Sequence, residues 1–238
     1  MNPSLKKRFW KEAVVVQTDD GFNVTLDGHA IRTPSKSALV IRYRNIAEQI
    51  AAEWMAQENE VDPTTMPATR MVNSVIDKVS INADAIIEML AEYAGTDLLC
   101  YRSISPQGLI DEQARLWDPL LQWSADVLNA PMNVTSGVMF TAQNDASLDV
   151  FRKQLLALNH YQLAGVHDLI SISGSAVISV ALISNHISLD DAWLAATVDE
   201  AWQDQQWGAD EEAQESLSKK RDDFEFAFNF WKDASATH

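Results

Sequence analysis

Cysteine is almost missing from this chain of 238 residues. Cys100 stands alone, so no intrachain disulfide can form and nothing argues for an oxidising compartment. Its apolar neighbours Leu98, Leu99 and Tyr101 predict a buried thiol rather than a nucleophile. The eight glycines are scattered and form neither GxGxxG nor GxxxxGK(S/T), which leaves nucleotide binding without support. No apolar stretch is long enough to span a bilayer comfortably. The most apolar, Leu169 to Ile183, is broken by Ser171, Ser173, Gly174, Ser175 and Ser179 and reads as a buried helix with no membrane insertion. The start, MNPSLKKRFWKEA, is basic but lacks the apolar segment of a signal peptide and the long Arg/Ser-rich stretch of a presequence. A bacterial cytoplasmic protein is expected.

Positive charge is the next scarcity. The net charge is −16, yet residues 1–55 hold eight Lys/Arg against six Asp/Glu, so the acidity belongs to the rest. From Gln154 to Ser218 there is no Lys or Arg at all, against ten acidic residues. Phosphate backbones would be repelled there, which excludes nucleic acid as the expected partner. Either a merely solvated acidic surface or steering of a partner with basic groups fits this stretch.

Catalytic constellations are absent too. No GxSxG or HExxH occurs, and the five histidines show no Cys/His metal spacing. His160, His167 and Asp168 invite one alternative, a small metal-dependent hydrolase. Seven residues span about 10 Å of helix, however, too far for both histidines to hold one ion without a bend at Gly165. Adjacent acids such as Asp190/Asp191 and Asp199/Glu200 point to different helix faces and make no acid/base pair by themselves. An inventory this empty, in a chain with 47% hydrophobic residues and eight tryptophans, points more naturally to a binding protein than to an enzyme.

What the chain does have is order along its length. Ala13 to Gln17, the turn Thr18-Asp19-Asp20-Gly21 and Phe22 to Leu26 predict a hairpin, followed by Asp27-Gly28 and a further extended stretch at Leu39 to Ile41. From Tyr43, Ile46, Ile50 and Trp54 repeat at helical spacing. Pro63 and Pro67 then interrupt, and a domain boundary is placed there. Beyond it helices are predicted over 69–79, 82–93, 109–128 with a break or kink at Pro119, 146–158, 161–185 interrupted near Ser173-Gly174, 189–207 and 210–231. Residues 129–139 form the expected extended connection. Ser188 with Asp191 resembles a capping box, Gly208 is the expected stop of its helix, and Phe224, Phe228 and Trp231 share a stripe in the last one. The fold class is α+β: a small N-terminal β-rich α/β domain, residues 1–62, followed by a larger all-helical domain, residues 63–238.

One spacing stands out. On a continuous helix at about 100° per residue, Trp193, Glu200 and Trp207 lie within roughly 20° of one line. Leu194, Ala195, Val198, Ala201 and Trp202 point the other way and are apolar enough to face the core. The first stripe is then either a second core seam with an acid in it or a partner-facing anchor of indoles around a charge. Arg70, Arg102 and Arg115 read as partner contacts or as internal partners of Asp77, Asp97 or Asp111.

Taken in order, many pieces of the chain resemble a known family. Lys7-Arg8-Phe9-Trp10 is followed by Leu26-Asp27-Gly28 leading to Arg32-Thr33-Pro34, then Ala52-Glu53-Trp54 with Ala56-Gln57, and Met66-Pro67-Ala68-Thr69-Arg70. Thr96-Asp97-Leu98-Leu99-Cys100-Tyr101-Arg102, Trp117-Asp118-Pro119, Val134-Thr135 with Gly137-Val138, and Gly174-Ser175 continue the series. It closes on Asp199-Glu200, Trp202-Gln203 and Trp207-Gly208. In this order and spacing they resemble the assembly chaperones that bind the alpha subunit of F-type ATP synthase, known from mitochondria and alphaproteobacteria. The resemblance implies a two-part fold, no enzymatic activity, no cofactor or metal, and the alpha subunit as partner, with a monomer expected. It also implies that an acid shortly before the Trp-Gly pair serves chaperone function. Glu200 matches best, with Asp199 as the neighbouring alternative, and Trp193, Gln203 and Trp207 complete the expected partner-binding set. His29 departs from a frequent arginine and Trp10 from a common tyrosine, which puts in doubt any role for charge at position 29.

Overall fold

A two-residue turn, Asp19-Asp20, joins β1 (Ala13–Thr18) to β2 (Gly21–Leu26) in an antiparallel hairpin that pairs Thr18 with Gly21 and Ala13 with Leu26. Gly21 is required there: a Cβ on it would lie 2.6 Å from the carbonyl oxygen of Ile41, because Phe22 and Ile41 exchange backbone hydrogen bonds of 2.8 and 2.7 Å. Asp27 and Gly28 both have positive φ, the combination of a tight hairpin turn, and lead into β3 (His29–Ala30). The Asp27 carboxylate accepts from the backbone N–H groups of Glu12 and Lys11, which hold it below the usual carboxylate range. The computed structural model describes residues 7–208 and 210–235.

Across this three-stranded sheet lies α1 (Arg44–Ala56), which packs on β1 and β2 with Ile46, Ala47, Ile50 and Ala51 buried. Arg8 donates to the carbonyls of Met55 and Gln57 and so satisfies the end of α1, where carbonyls lack intrahelical partners. The expected proline break contains a single 3-10 turn, Pro63–Thr65. Then α2 (Pro67–Ser74) begins, capped from α1: the Glu53 carboxylate accepts from the N–H groups of Ala68 (2.6 Å) and Thr69 (2.8 Å) and from the Thr69 hydroxyl (2.6 Å). Burial pushes the Glu53 carboxyl up, and the hydrogen bonds from Thr69 and Ala68 oppose that shift. One π-helical turn, Val75–Val79, leads into α3 (Ser80–Tyr93), whose non-helical Asn82 marks the predicted interruption. Thr33 of the Arg-Thr-Pro motif is buried and donates its hydroxyl to Asp77 at 2.7 Å.

The remaining helices are α4 (Gln107–Val127), α5 (Asp145–Leu156), α6 (His160–Ser173), α7 (Ala176–Ile183), α8 (Leu189–Ala196), α9 (Val198–Trp207) and α10 (Glu211–Asp233). Gly174, at φ +70, divides α6 from α7, as its position beside Ser173 predicts. In α4 the expected break at Pro119 does not occur. Proline removes one hydrogen bond and crowds the preceding turn at a cost of about 3 kcal/mol, but Pro119 lies on the exposed side. Trp117, Leu120 and Trp123, buried on the opposite side, each contribute a comparable burial term of about 1.5–3 kcal/mol and hold the helix through it. Asp118, beside Pro119, pairs with Arg102 at 2.7 Å. Arg102 also stacks over Trp117.

Cys100 is buried as expected, in a 3-10 turn, Leu98–Cys100, and burial followed by the nearby Asp97 charge pushes its thiol up to about 12. The turn runs into β4 (Tyr101–Arg102), which pairs in parallel with β5 (Thr135–Ser136) inside the connection expected to be extended.

The chain divides into two compact units: Met1–Ala83 with Asn159–Ala164 and Asn229–His238, and Asp84–Leu158 with Gly165–Phe228. This differs from a boundary after residue 62. Glu53 capping α2 and Thr33 holding Asp77 keep residues 63–83 with the sheet. Distant segments join the same unit: the Tyr161 hydroxyl donates to the Val40 carbonyl at 3.3 Å, Gln49 donates to Asp233 at 2.6 Å, and Tyr161 stacks on Phe230.

Candidate functional site

The stripe that drew attention in the sequence requires one helix from residue 189 to 207, and there are two. Thr197, at φ −124° and ψ 23°, separates α8 from α9, and its hydroxyl donates to the Trp193 carbonyl at 2.8 Å. A hydroxyl that satisfies a carbonyl of the preceding turn competes with continuation of the helix. The three residues therefore do not share a line. Trp193 is 7% exposed and packs on Phe224 with ring centroids 5.7 Å apart, so it lies in the core and is not partner-facing surface. Leu194, expected to face the core, is exposed instead.

Two members of the stripe remain together. Glu200 and Trp207 lie seven residues apart within α9, hence on one face, with Gln203 and Asp204 between them. Glu200 and Gln203 are exposed, and Trp207 is 80% exposed, an unusual state for the largest apolar side chain. Gly208, at φ +84, ends α9, and Asp210 caps α10 by accepting from the N–H groups of Glu212 and Ala213. Between these helices runs a groove lined by Glu200, Gln203 and Asp204 on one side and by Ala213, Ser216, Leu217 and Lys220 on the other. The surrounding unit, Asp84–Leu158 with Gly165–Phe228, holds seven Lys/Arg against 23 Asp/Glu, so the whole net charge of −16 resides in it.

Asp199 is placed differently from Glu200. It is half-buried and accepts from Gln113 Nε2 of α4 at 2.7 Å. Three residues on, Trp202 lies against Gly108, where a Cβ would come within 2.4 Å of the indole. Trp117 Nε1 donates to the Ala195 carbonyl at 2.8 Å. Thus α4 holds α8 and α9 from below, and the presented residues are Glu200, Gln203 and Trp207.

A second surface escaped the sequence reading. In the loop after β5, Val138 is 95% exposed, and Met139, Phe140 and nearby Ile104 are exposed as well. The signal was available, since three consecutive apolar residues follow Gly137 in a connection with no helical or strand period. The histidine alternative gains no geometry. His167 pairs with adjacent Asp168 at 2.8 Å, His160 belongs to the other compact unit, and among the described residues no three His, Cys, Asp or Glu side chains are grouped to hold a metal ion. Two of the arginines find local partners: Arg115 pairs with Glu112 and Arg102 with Asp118, while Asp77 and Asp97 serve hydroxyl and backbone donors.

A family model described as "ATP12 chaperone protein" matches residues 7–125. The chain belongs to the ATP12 chaperone family. This is a chaperone family for ATP synthase assembly. The chain is 36% identical to Atp12 from Paracoccus denitrificans, whose crystal structure superposes with a TM-score of 0.89 over 96% of this chain and 98% of that one. The Atu1473 protein from Agrobacterium tumefaciens is likewise 36% identical, with a TM-score of 0.90 over 96% of this chain and 86% of its own. A mitochondrial relative, Protein atp12 of Schizosaccharomyces pombe, is 23% identical over 221 residues, 88% of this chain and 76% of the relative. The ATP12 model stops at residue 125, before α9, so the Glu200 face is matched only through the whole-chain likenesses. Among the described residues no helix is long and apolar enough to cross a membrane.

Proposed function

We propose that the chain captures the free alpha subunit of F-type ATP synthase, masks the surface destined for the beta subunit, and yields its cargo when beta takes that place. The observation that supports this most is the likeness to ATP12 chaperones along nearly the full length of the chain. On this reading it works in the bacterial cytoplasm as a monomer, without a cofactor and without catalysing a reaction.

A chaperone of this kind must cover apolar surface well enough to prevent aggregation and still be displaced. An exposed indole beside a carboxylate suits that task. Trp207 supplies area to bury, and Glu200 selects a basic group on the subunit, adding specificity and association rate more than affinity. Gln203 between them offers an amide, and the apolar tip Val138–Phe140 offers further area.

Expressing the alpha subunit with and without this chain tests the function: the fraction of alpha that stays soluble should rise with the chain present, and added beta should release it. No complex and no gain in solubility would overturn the proposal. Glu200→Lys tests the site. Reversing an exposed charge leaves the fold intact but opposes like charges across the contact, so affinity for alpha should fall by about tenfold or more, equivalent to about 1.4 kcal/mol or more. Normal capture by the folded variant would remove Glu200 from the interface.

A further inference from the structure

The strip of α9 that displays Glu200 and Trp207 is tied to α4 by one buried amide. Gln113 is 2% exposed and uses both ends of its side chain. Its Oε1 accepts from the Ser103 N–H at 2.8 Å, and its Nε2 donates to Asp199 Oδ1 at 2.7 Å. The Ser103 contact fixes which way the amide points, because a backbone N–H can meet only the oxygen end. The nitrogen end is thereby aimed at the first turn of α9, one residue before Glu200. Helix orientation follows such terminal ties closely, since a first-turn carboxylate also faces the positive end of the helix.

We propose that Gln113 is a positioning residue for client capture: through Asp199 it sets the rotation of α9 that presents Glu200 and Trp207 to the alpha subunit. The proposal rests on the reading that this face of α9 meets the client. It assigns Asp199, an alternative to Glu200 on sequence grounds, to the inside of the device. Asp199 holds the helix, and Glu200 meets the partner.

Exchanging donor and acceptor tests this. Gln113→Glu places two carboxylates face to face at a 2.7 Å contact and should weaken capture of alpha by about tenfold, while Asp199→Asn, whose oxygen still accepts from Gln113, should change it by less than about threefold. The double variant Q113E/D199N restores one donor and one acceptor in swapped positions, and the introduced carboxylate still accepts from the Ser103 N–H. It should bring capture back to within about threefold of the unmodified chain. Affinity is measured well below the thermal midpoint of each variant, so that a purely stabilising role would leave it unmoved. Gln113→Met, close in size and unable to hydrogen-bond, replaces Q113E if that variant does not fold.

Normal capture by folded Q113E or Q113M, or failure of the double variant to recover, would overturn the proposal. So would failure of both single variants to fold, since Gln113 would then serve stability alone. If D199N by itself abolished capture, Asp199 would be a direct contact and the assignment would fall. Glu200→Lys in parallel separates the two layers: normal capture there would remove Glu200 from the interface, whatever Gln113 does.

Discussion

The carboxylate of Asp97 lies wholly out of water, where it accepts from the Leu99 N–H at 3.0 Å, the Ser175 hydroxyl at 2.8 Å and the Val177 N–H at 3.0 Å. It ties the 3-10 turn before β4 to the start of α7. Burial pushes its pKa up, against the opposing pull of the hydrogen bonds from Val177, Ser175 and Leu99. The folded protein therefore keeps this proton to higher pH than the unfolded chain does. The stability so gained is complete below the ordinary carboxylate value of about 3.9 and is lost as pH rises through the folded value. Asp97→Asn turns an amide N–H toward the Val177 donor and should cost about 2–4 kcal/mol. It should also remove that pH dependence. Denaturant unfolding across the acid range checks both: the gap between the unmodified chain and the variant should narrow as pH rises from about 4. Reading the sequence placed Asp97 in a motif and left an arginine as one alternative for its partner. Leu99 is a local donor, but nothing local reveals that the other two, Ser175 and Val177, lie about eighty residues away.

Among the elements, α9 shows what periodicity conveys and where it stops. The spacing of apolar residues located a helix over 189–207, its Ser188 start and its Gly208 end, yet the break at Thr197 involves no glycine or proline and gave no warning. Pro119 is the converse, a strong breaker overruled by the buried face of α4. In α10 the core takes Phe224, Ala227 and Phe230, a line turned from the predicted Phe224, Phe228 and Trp231, because neighbouring stripes of an aromatic-rich helix look alike until something packs on one. What fixes α9 is its seat on α4. Gly108→Ala would gain up to about 1 kcal/mol of helix propensity, but its Cβ would come within 2.4 Å of the rigid Trp202 ring. Overpacking of that kind costs about 1–3 kcal/mol. A net loss of thermal stability is expected, together with weaker capture of alpha, and combining it with Trp202→Phe should recover part of both. A G108A variant at least as stable as the unmodified chain would show that α9 moves aside freely. Of the expected set, the shared exposed face of Glu200, Gln203 and Trp207 was legible because they lie within one helix. The burial of Trp193 and the tie of Asp199 to Gln113 depend on partners from elsewhere in the chain.

At the scale of the molecule, charge is divided as the fold is. One unit holds eleven Lys/Arg against eleven Asp/Glu, the other seven against 23. Composition along the chain revealed that the acid lies late, but not that the early unit is neutral, since that unit also gathers residues 159–164 and 229–238. A unit so acidic should speed encounter with a basic client surface and slow it with an acidic one. Raising ionic strength from about 0.05 to 0.5 M shortens the screening distance from more than 10 Å to less than 5 Å and should reduce the association rate with alpha by about tenfold, with a much smaller effect on dissociation. Stopped-flow measurements at several salt concentrations would show it. A salt-independent rate would mean that the acidic unit does not guide the client.

The sheet-bearing unit takes in both early and late parts of the chain: Gln49 is bound by Asp233, and the Ala234 carbonyl accepts from Asn159. A ribosome releases the hairpin and α1 long before Asp233 and Ala234. During synthesis the unit that starts to emerge early is thus finished only after residues 229–235 appear, and the middle of the chain, with 23 of the 34 acidic residues, can fold while residues 7–83 still wait.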